Sequence, residues 1–423
     1  MKFIFRDYEF ENGRATFHYG FDGGQDFTEV IDFQTENQEY DKALLDKALC
    51  LAFIIAGVSY WKTFGDGDIE LPFALDEFQA KFFNAVYQEG MSQFAYENSL
   101  TRDDLAHFNV TSDDNRGALS YSGSGILALQ SGGKDSLLTA SVLKRQSIKF
   151  TPLFMASGDR YPKVLDELGD LVVIRRHLDN QNLAIAEQNG ARNGHVPITY
   201  IIQSLALVQA ILLNKEQILV SIGHEGAEPH AHIGDLAVNH QWSKTQEAEQ
   251  LFAKYVRGYI TPNIKIGSPI RKYSELKIAE LFVKNAWTDF GHKFSSCNVA
   301  NYRQNADNSA LKWCGDCPKC ANSYLLFAPF VDPIELKQLF TGEDLFDKKN
   351  LEQSFKGLLG VDGVMKPFEC VGEVDELRKA YQMAQEKGGY SQLPFDVPKS
   401  DFNYQKEYDY NPEIAYSTTA SGM

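Results

Sequence analysis

The sequence predicts an α/β protein built on a parallel sheet, with a small N-terminal α+β domain before it and a helical, cysteine-containing part after it. Three observations carry this. Short apolar runs alternate with helical stretches from Gly125 to about residue 222, the pattern of strand–helix–strand units. The first 35 residues alternate apolar and polar around Asn12-Gly13 and Asp22-Gly23-Gly24, which is hairpin chemistry. Four cysteines gather between Cys297 and Cys320, and helical periodicity follows them. The expected divisions are residues 1–120, 121–300, 301–388 and a polar tail, 389–423.

In order, Phe3, Phe5 and Tyr8, then Ala15–Tyr19, then Phe27–Ile31 predict three strands. Apolar spacing turns helical from Asp41 to Tyr60 and again from Leu75 to Gln88. The aromatic residues of this front section read as core rather than as a binding platform. Leu100 to Ser124, with Asp103-Asp104, Asp113-Asp114 and Gly117, is polar and reads as a link. The sheet then takes strands from Ile126–Leu129, Phe150–Ala156, Leu171–Arg175 and Gln217–Ile222, with helices through Leu137–Leu143 and Ile198–Leu213. Ser274 is a sensible N-cap for a helix running to about Asn285. Helix resumes from Ser323 to Phe330, and two more follow, interrupted by Lys366–Glu373. From Gly388 the chain is polar, with scattered Tyr, Pro and Asp, and is expected to be extended or partly disordered.

Acidic residues outnumber basic ones, 57 to 41, for a formal charge of −16. That argues against a general nucleic-acid surface, which needs a basic face, but leaves room for a local anion pocket. Charge breaks Met1–Asp7 too early for a signal peptide. The longest uncharged run, Ala48 to Trp61, is too short to cross a bilayer and reads as a buried helix. Six cysteines, four of them close together, point to a reduced compartment and a metal rather than disulfides. The expectation is a cytoplasmic enzyme with no nucleic-acid or membrane partner.

Ser131-Gly132-Gly133-Lys134-Asp135-Ser136 lies between the first sheet strand and its helix. Strand, glycine turn and helix start together put free N–H groups and the positive end of a helix dipole at one point, ready for an anion. The glycines let a phosphate approach closely. Ser131 and Ser136 offer hydroxyl donors, and Lys134 offers a compact charge. Walker A is excluded because Asp135, not Ser or Thr, follows the lysine. The dinucleotide fingerprint is excluded because Gly123 and Gly125 precede the strand. The segment resembles the SGGxDS signature of the PP-loop ATP pyrophosphatases, a HUP-like fold. The resemblance implies cleavage of ATP between its α and β phosphates to adenylate a substrate oxygen.

In such a sheet a ligand sits at the carboxyl ends of the strands. The third strand ends in Arg175-Arg176-His177, where paired arginines could clamp a carboxylate or a pyrophosphate or could equally be a solvated loop. The fourth ends in Gly223-His224-Glu225. After it come Glu228, His230, His232, Asp235 and Asn239-His240-Gln241-Trp242-Ser243-Lys244, read as active-site lining rather than metal ligands. Cys297 with Cys314-x-x-Cys317-x-x-Cys320 fits a closed tetrahedral zinc site, with a four-iron cluster as the rival. The 7-cyano-7-deazaguanine synthases, also PP-loop enzymes, hold zinc on a similar run, which favours zinc. The sixteen-residue gap after Cys297 makes it the outlying ligand. Packing alone rarely needs Lys366, Glu369, Cys370 and Glu373 so close together.

Several stretches together resemble one family. They are Ala56–Tyr60, Ser131–Ser136, Val238–Lys244, Ser296-Cys297-Asn298, Trp313–Cys320 and Lys366–Glu373. The chain is similar over about residues 3–385 to the UDP-N-acetyl-α-D-muramoyl-L-alanyl-L-glutamate epimerases of bacterial peptidoglycan synthesis. The resemblance implies ATP- and Mg²⁺-dependent inversion of the terminal L-glutamate of UDP-MurNAc-L-Ala-L-Glu, with release of AMP and pyrophosphate. On that reading Ser131, Gly132, Gly133, Asp135 and Ser136 hold the departing pyrophosphate and Lys134 neutralises charge on it. Candidates for the acid and base are His240, Lys244 and Cys370, with His224 and Glu225 behind them. A deazaguanine-synthase-like or tRNA-modifying adenylating enzyme and a non-catalytic ATP-binding protein are the alternatives.

Overall fold

The computed structural model describes residues 1–35, 39–303, 310–410 and 414. The strands are β1 Phe3–Glu11, β2 Arg14–Phe21, β3 Asp26–Asp32, β4 Ile69–Glu70, β5 Ile126–Leu129, β6 Thr151–Ala156, β7 Val172–His177, β8 Gln217–Leu219, β9 Ala231–Ile233, β10 Leu236–Val238 and β11 Lys265–Gly267. The helices are α1 Lys42–Ala56, α2 Val58–Phe64, α3 Glu77–Tyr87, α4 Ser92–Glu97, α5 Lys134–Arg145, α6 Asn180–Gln188, α7 Ile198–Leu212, α8 Gln246–Tyr255, α9 Glu275–Asn285, α10 Trp287–Phe290, α11 Pro318–Phe327, α12 Pro333–Leu339, α13 Glu352–Leu359 and α14 Val374–Lys387.

Nine strands form one mixed sheet in the order β11-β8-β5-β6-β7-β3-β2-β1-β4, and β9 and β10 form a separate ribbon. Five pairings are parallel, namely β11 with β8, β8 with β5, β5 with β6, β6 with β7 and β1 with β4. The antiparallel hairpins of the front section were expected to make a small unit of their own. They join the main sheet instead, because β3 pairs antiparallel with β7, setting Val30 opposite His177 and Ile31 opposite Arg176. The physical reason is an ion pair. Arg176 donates from Nε to Glu29 Oε1 at 2.7 Å, and from Nη2 to Glu29 Oε2 at 3.1 Å and Ser59 Oγ at 2.8 Å. Both charged residues are buried. Arg176 is therefore a structural partner of Glu29 and makes no clamp at the strand end.

The helix expected over 41–60 is two. Gly57 divides α1 from α2, and a Cβ there would lie 2.6 Å from the Phe5 ring, so the close approach of β1 demands glycine. Residues 42–64 are long and apolar enough to cross a membrane, yet most of that stretch is packed inside the protein, as a core helix pair is. One apolar core takes in the front strands, α1 and α7, and a second joins α5 and α9 to the C-terminal helices. Ser274 caps α9 by accepting from Lys277 N–H. Residues 389–410 form no helix or strand, but they pack back on the body. Leu393 and Ser400 are buried, and Phe395, Val397 and Tyr404 lie against the second core. The polar composition hides these few anchors.

Removing one member of a buried pair strands the other in low dielectric. Glu29→Ala is expected to cost about 3–5 kcal/mol of unfolding free energy, while the exposed Arg6→Ala costs under about 1 kcal/mol; urea denaturation measures both.

Candidate functional site

The turn after β5 is folded on itself. Gly132 has φ +77°, and a Cβ there would sit 2.5 Å from Leu311, so glycine is needed on both counts. Gly133 is the residue before α5 and donates its N–H to Ser131 Oγ at 3.3 Å. Ser136 Oγ donates to the Gly133 carbonyl at 3.2 Å and accepts from Ser131 N–H at 3.2 Å. The first turn of α5 thus faces the loop, as an anion cradle requires. Lys134 is buried and held by two carboxylates, Asp135 Oδ1 at 2.7 Å and Glu275 Oε2 at 2.5 Å. Burial alone would lower its pKa, but the two acids outweigh that and raise it. Burial pushes the Asp135 carboxyl up. For Glu275 burial pushes the same way, but Lys134 overrides it and keeps the carboxyl below its usual range.

The second part of the site is a cysteine–histidine pair. Cys370 Sγ lies 3.6 Å from His240 Nε2, and His240 Nδ1 lies 2.6 Å from Gln93 Oε1. Gln93 donates its own Nε2 to Glu97 at 2.7 Å, which fixes the amide and leaves its oxygen toward the histidine. Nδ1 must therefore carry a proton. Nε2 then either accepts from the Cys370 thiol or, in the imidazolium, donates to the thiolate. Burial pushes the Cys370 thiol up, but Lys244, His240 and Lys319 outweigh it and hold it well below the usual thiol range. Cys370 is thus biased toward the thiolate, with His240 Nε2 beside it.

Lys244 Nζ is 3.3 Å from Glu225 Oε1. Burial opposes its charge, yet Cys370, Glu225, Glu275 and Asp135 together raise its pKa. Burial lifts Glu225 to about 7, against the pull of Lys244 and with further push from Glu275, Asp135 and Cys370. The same groups therefore act on one another across the glycine turn and the thiol, and the two parts form one centre. His195 stacks near His240, ring centroids 4.5 Å apart; burial, then His240, Lys62 and His230, depress it to about 3. His224 is elsewhere, its ring stacked on Tyr408 at 3.4 Å.

The polar stretch Lys366–Glu373 is a loop held from all sides. Lys366 pairs with Glu228 at 2.9 Å, Asn298 donates to Glu369 at 3.0 Å, Lys319 donates to the Cys370 carbonyl, and Gln241 donates to the Val371 carbonyl at 2.9 Å. These bonds account for most of its polar residues and leave Cys370 aimed at His240. Gln93, His195 and Lys319 escape the sequence because nothing local marks them. Glu275 was visible only as an acid opening a helix.

The cysteine group closes tightly. Cys297 Sγ lies 3.7 Å from Cys317, Cys314 lies 3.7 Å from Cys320, and Cys317 lies 3.5 Å from Cys320. All four sulfurs fall within 4.8 Å of one another. Zinc–sulfur bonds of about 2.3 Å in a tetrahedron put sulfurs about 3.8 Å apart, so the four could hold a metal and suit zinc. A four-iron cluster would spread them farther. Ala300 and Asp316 N–H groups point at Cys297 and Cys314 Sγ, each at 3.4 Å, as donors to thiolates do.

Comparison with known proteins sets this geometry in a family. The profile for the MurL N-terminal domain matches residues 1–266, and that for the MurL C-terminal domain matches residues 293–398. The chain belongs to the MurL epimerase family. A UDP-N-acetyl-alpha-D-muramoyl-L-alanyl-L-glutamate epimerase of Salinispora tropica is 32% identical over 435 residues, spanning 99% of this chain and 91% of the relative. One from a Micromonospora species is 32% identical over 432 residues, 99% of this chain and 93% of its own. One from Xanthomonas oryzae pv. oryzae is 31% identical over 377 residues, 88% and 82%. Membership in this family makes the chain an isomerase. The phosphate-loop segment lies inside the first MurL match, whereas Cys297–Cys320 and Cys370 lie inside the second.

Because Lys244 pulls the Cys370 thiol down, Lys244→Met is expected to raise the pH midpoint of Cys370 alkylation by iodoacetamide, read by peptide mass spectrometry. Elemental analysis is expected to find one zinc per chain, lost in Cys320→Ser.

Proposed function

We propose that this chain inverts the terminal L-glutamate of UDP-MurNAc-L-Ala-L-Glu to D-glutamate in cytoplasmic peptidoglycan-precursor synthesis, at the expense of ATP. The observation that carries the reading is the Lys244 ammonium, which acts on the Cys370 thiol on one side and on Asp135, after the glycines of the turn, on the other. The names of the relatives supply the substrate.

A proton next to a carboxylate is hard to remove, because the carbanion would form beside an existing negative charge. The loop answers this. The substrate α-carboxylate attacks the α-phosphorus of ATP, the bond to the β-phosphoryl breaks, and pyrophosphate leaves toward the start of α5 and the N–H groups of the turn other than those of Ser131 and Gly133. Mg²⁺ carried in with ATP would add further neutralisation, and Asp135 is the acid of the loop that would hold it. The mixed anhydride carries no carboxylate charge, so its neighbouring C–H is far more acidic.

Inversion needs a base on one face and an acid on the other. Cys370 and Lys244 have environments that push them in opposite directions, the mark of an assigned base and acid. The Cys370 thiolate takes the proton from the L face, and the electron pair moves into the carbonyl. Lys244 returns a proton to the opposite face. Water then cleaves the anhydride to the D-carboxylate and AMP. The Cys370 thiol then gives its proton to solvent by way of His240 Nε2, which is free to accept while Gln93 keeps the proton on Nδ1, and Lys244 takes a proton back from water. The cysteine cluster, which would hold zinc, fixes the start of α11, which carries Lys319 and so holds the Cys370 carbonyl.

The test is incubation with ATP, Mg²⁺ and UDP-MurNAc-L-Ala-L-Glu in D₂O, followed by mass spectrometry and chiral analysis. The expected product is D-glutamate with one deuterium, formed alongside AMP. Cys370→Ala is expected to lose roughly 10²–10⁴-fold in inversion while still forming AMP. Full turnover in Cys370→Ala removes the thiol from the mechanism, and AMP without inversion in the wild type removes the epimerase reading.

A further inference from the structure

The last described residues lie past residue 398, where the C-terminal domain profile ends, and they run to the back of the reacting centre. Tyr410 Oη donates to Glu249 on α8 and accepts from Ser268 N–H at 3.2 Å. Glu249 Oε2 accepts from Arg271 Nη2 at 2.6 Å. Arg271 and Glu249 are both buried, at 1% and 4% exposure, so each depends on the other for its charge to be tolerated. The other end of the Arg271 guanidinium donates to two backbone carbonyls, Gly223 at 2.8 Å and Lys244 at 2.6 Å. Those carbonyls belong to the two segments that present Glu225 and Lys244, the pair set 3.3 Å apart.

A second arm acts on the same segment. The Tyr408 ring lies flat on His224, planes 10° apart, one residue from Glu225. Tyr408 N–H donates to the Lys272 carbonyl at 2.9 Å, and Lys272 pairs with Glu407 at 3.0 Å. The tail is thus tied on both sides of Arg271.

We propose that residues 404–410 are a positioning strap for the reacting centre, acting through Glu249 and Arg271 on the backbone of Gly223 and Lys244. None of the strap residues touches the groups that transfer protons. It sets where the Lys244 ammonium stands relative to Cys370, and it rests on the proposed pairing of those two. Gly223 packs closely here: a Cβ would meet the Ile278 side chain at 2.4 Å and the Tyr273 carbonyl at 3.0 Å, and Arg271 ties the same segment through its carbonyl.

Cys370 alkylation reads this without requiring substrate. The charged groups that act on the thiol are Lys244, His240 and Lys319, with Glu225 opposing them. Displacing Lys244 weakens the pull that keeps the thiol ionised. The experiment compares iodoacetamide labelling of Cys370 across pH, by peptide mass spectrometry, in the wild type, Tyr410→Phe, Glu249→Gln and a chain ending at Asn403. Turnover is measured beside it. The expected result is a labelling midpoint about one unit higher, a tenfold change in the ionisation constant, in Tyr410→Phe and Glu249→Gln, with kcat reduced and KM for ATP unchanged. A synthetic peptide of residues 400–423 added to the shortened chain is expected to restore the wild-type midpoint, and the same peptide with Tyr410→Phe to restore it less.

Wild-type midpoint and kcat in both point variants overturn the strap, whether or not the shortened chain folds. A shifted midpoint in a protein whose wild type does not epimerise the nucleotide dipeptide keeps the strap and overturns the function.

Discussion

Charge removed from water has to be answered by opposite charge, and this requirement shapes the centre of the molecule. Lys134 and Lys244 stand among Asp135, Glu225, Glu275 and the Cys370 thiolate. Each ion left alone there would cost several kcal/mol. Together they compensate, so no member can change its protonation without moving the others. That coupling is useful for a reaction in which one group must give up a proton while another gains one. The thiolate is ionised because an ammonium is near, and the ammonium is retained because a thiolate is near. A site built from isolated groups would need each tuned separately.

The cysteine loop ties the two halves of this centre. Ser295 N–H donates to the Gly132 carbonyl at 3.3 Å, and Leu311 packs beside Gly132. Lys319, between Cys317 and Cys320, donates to the Cys370 carbonyl. One segment therefore touches both the glycine turn after β5 and the backbone that carries the thiol. Metal bound by four sulfurs would be well suited to such a task.

Some of this was legible beforehand. The glycine turn after β5 and the cysteine spacing are local patterns, and local patterns survive in a sequence. The front strands followed their period of two, and α9 followed its cap. The pairings that decide the chemistry are not local. Gln93 reaches His240 across 147 residues, and Glu29 reaches Arg176 across the same separation. A glutamine near the start of a short helix, or an arginine ending a strand, has the same appearance whether it meets solvent or a buried partner. The tail misled for a related reason. Tyr408 and Tyr410 are two aromatics in a polar run, and only their distant partners reveal that they are anchors.

The junction of β3 with β7 also governs how the protein comes into being. Val30 finds its partner at His177, so the opening hairpins leave the ribosome long before the strand that completes them exists. Until then β3 presents an unpaired edge beside the half-made ion pair of Glu29, and closing so wide a loop is slow relative to local helix formation. An acidic chain whose first strands wait for their neighbour gains from that like charge, which keeps growing copies apart while the edge stands open.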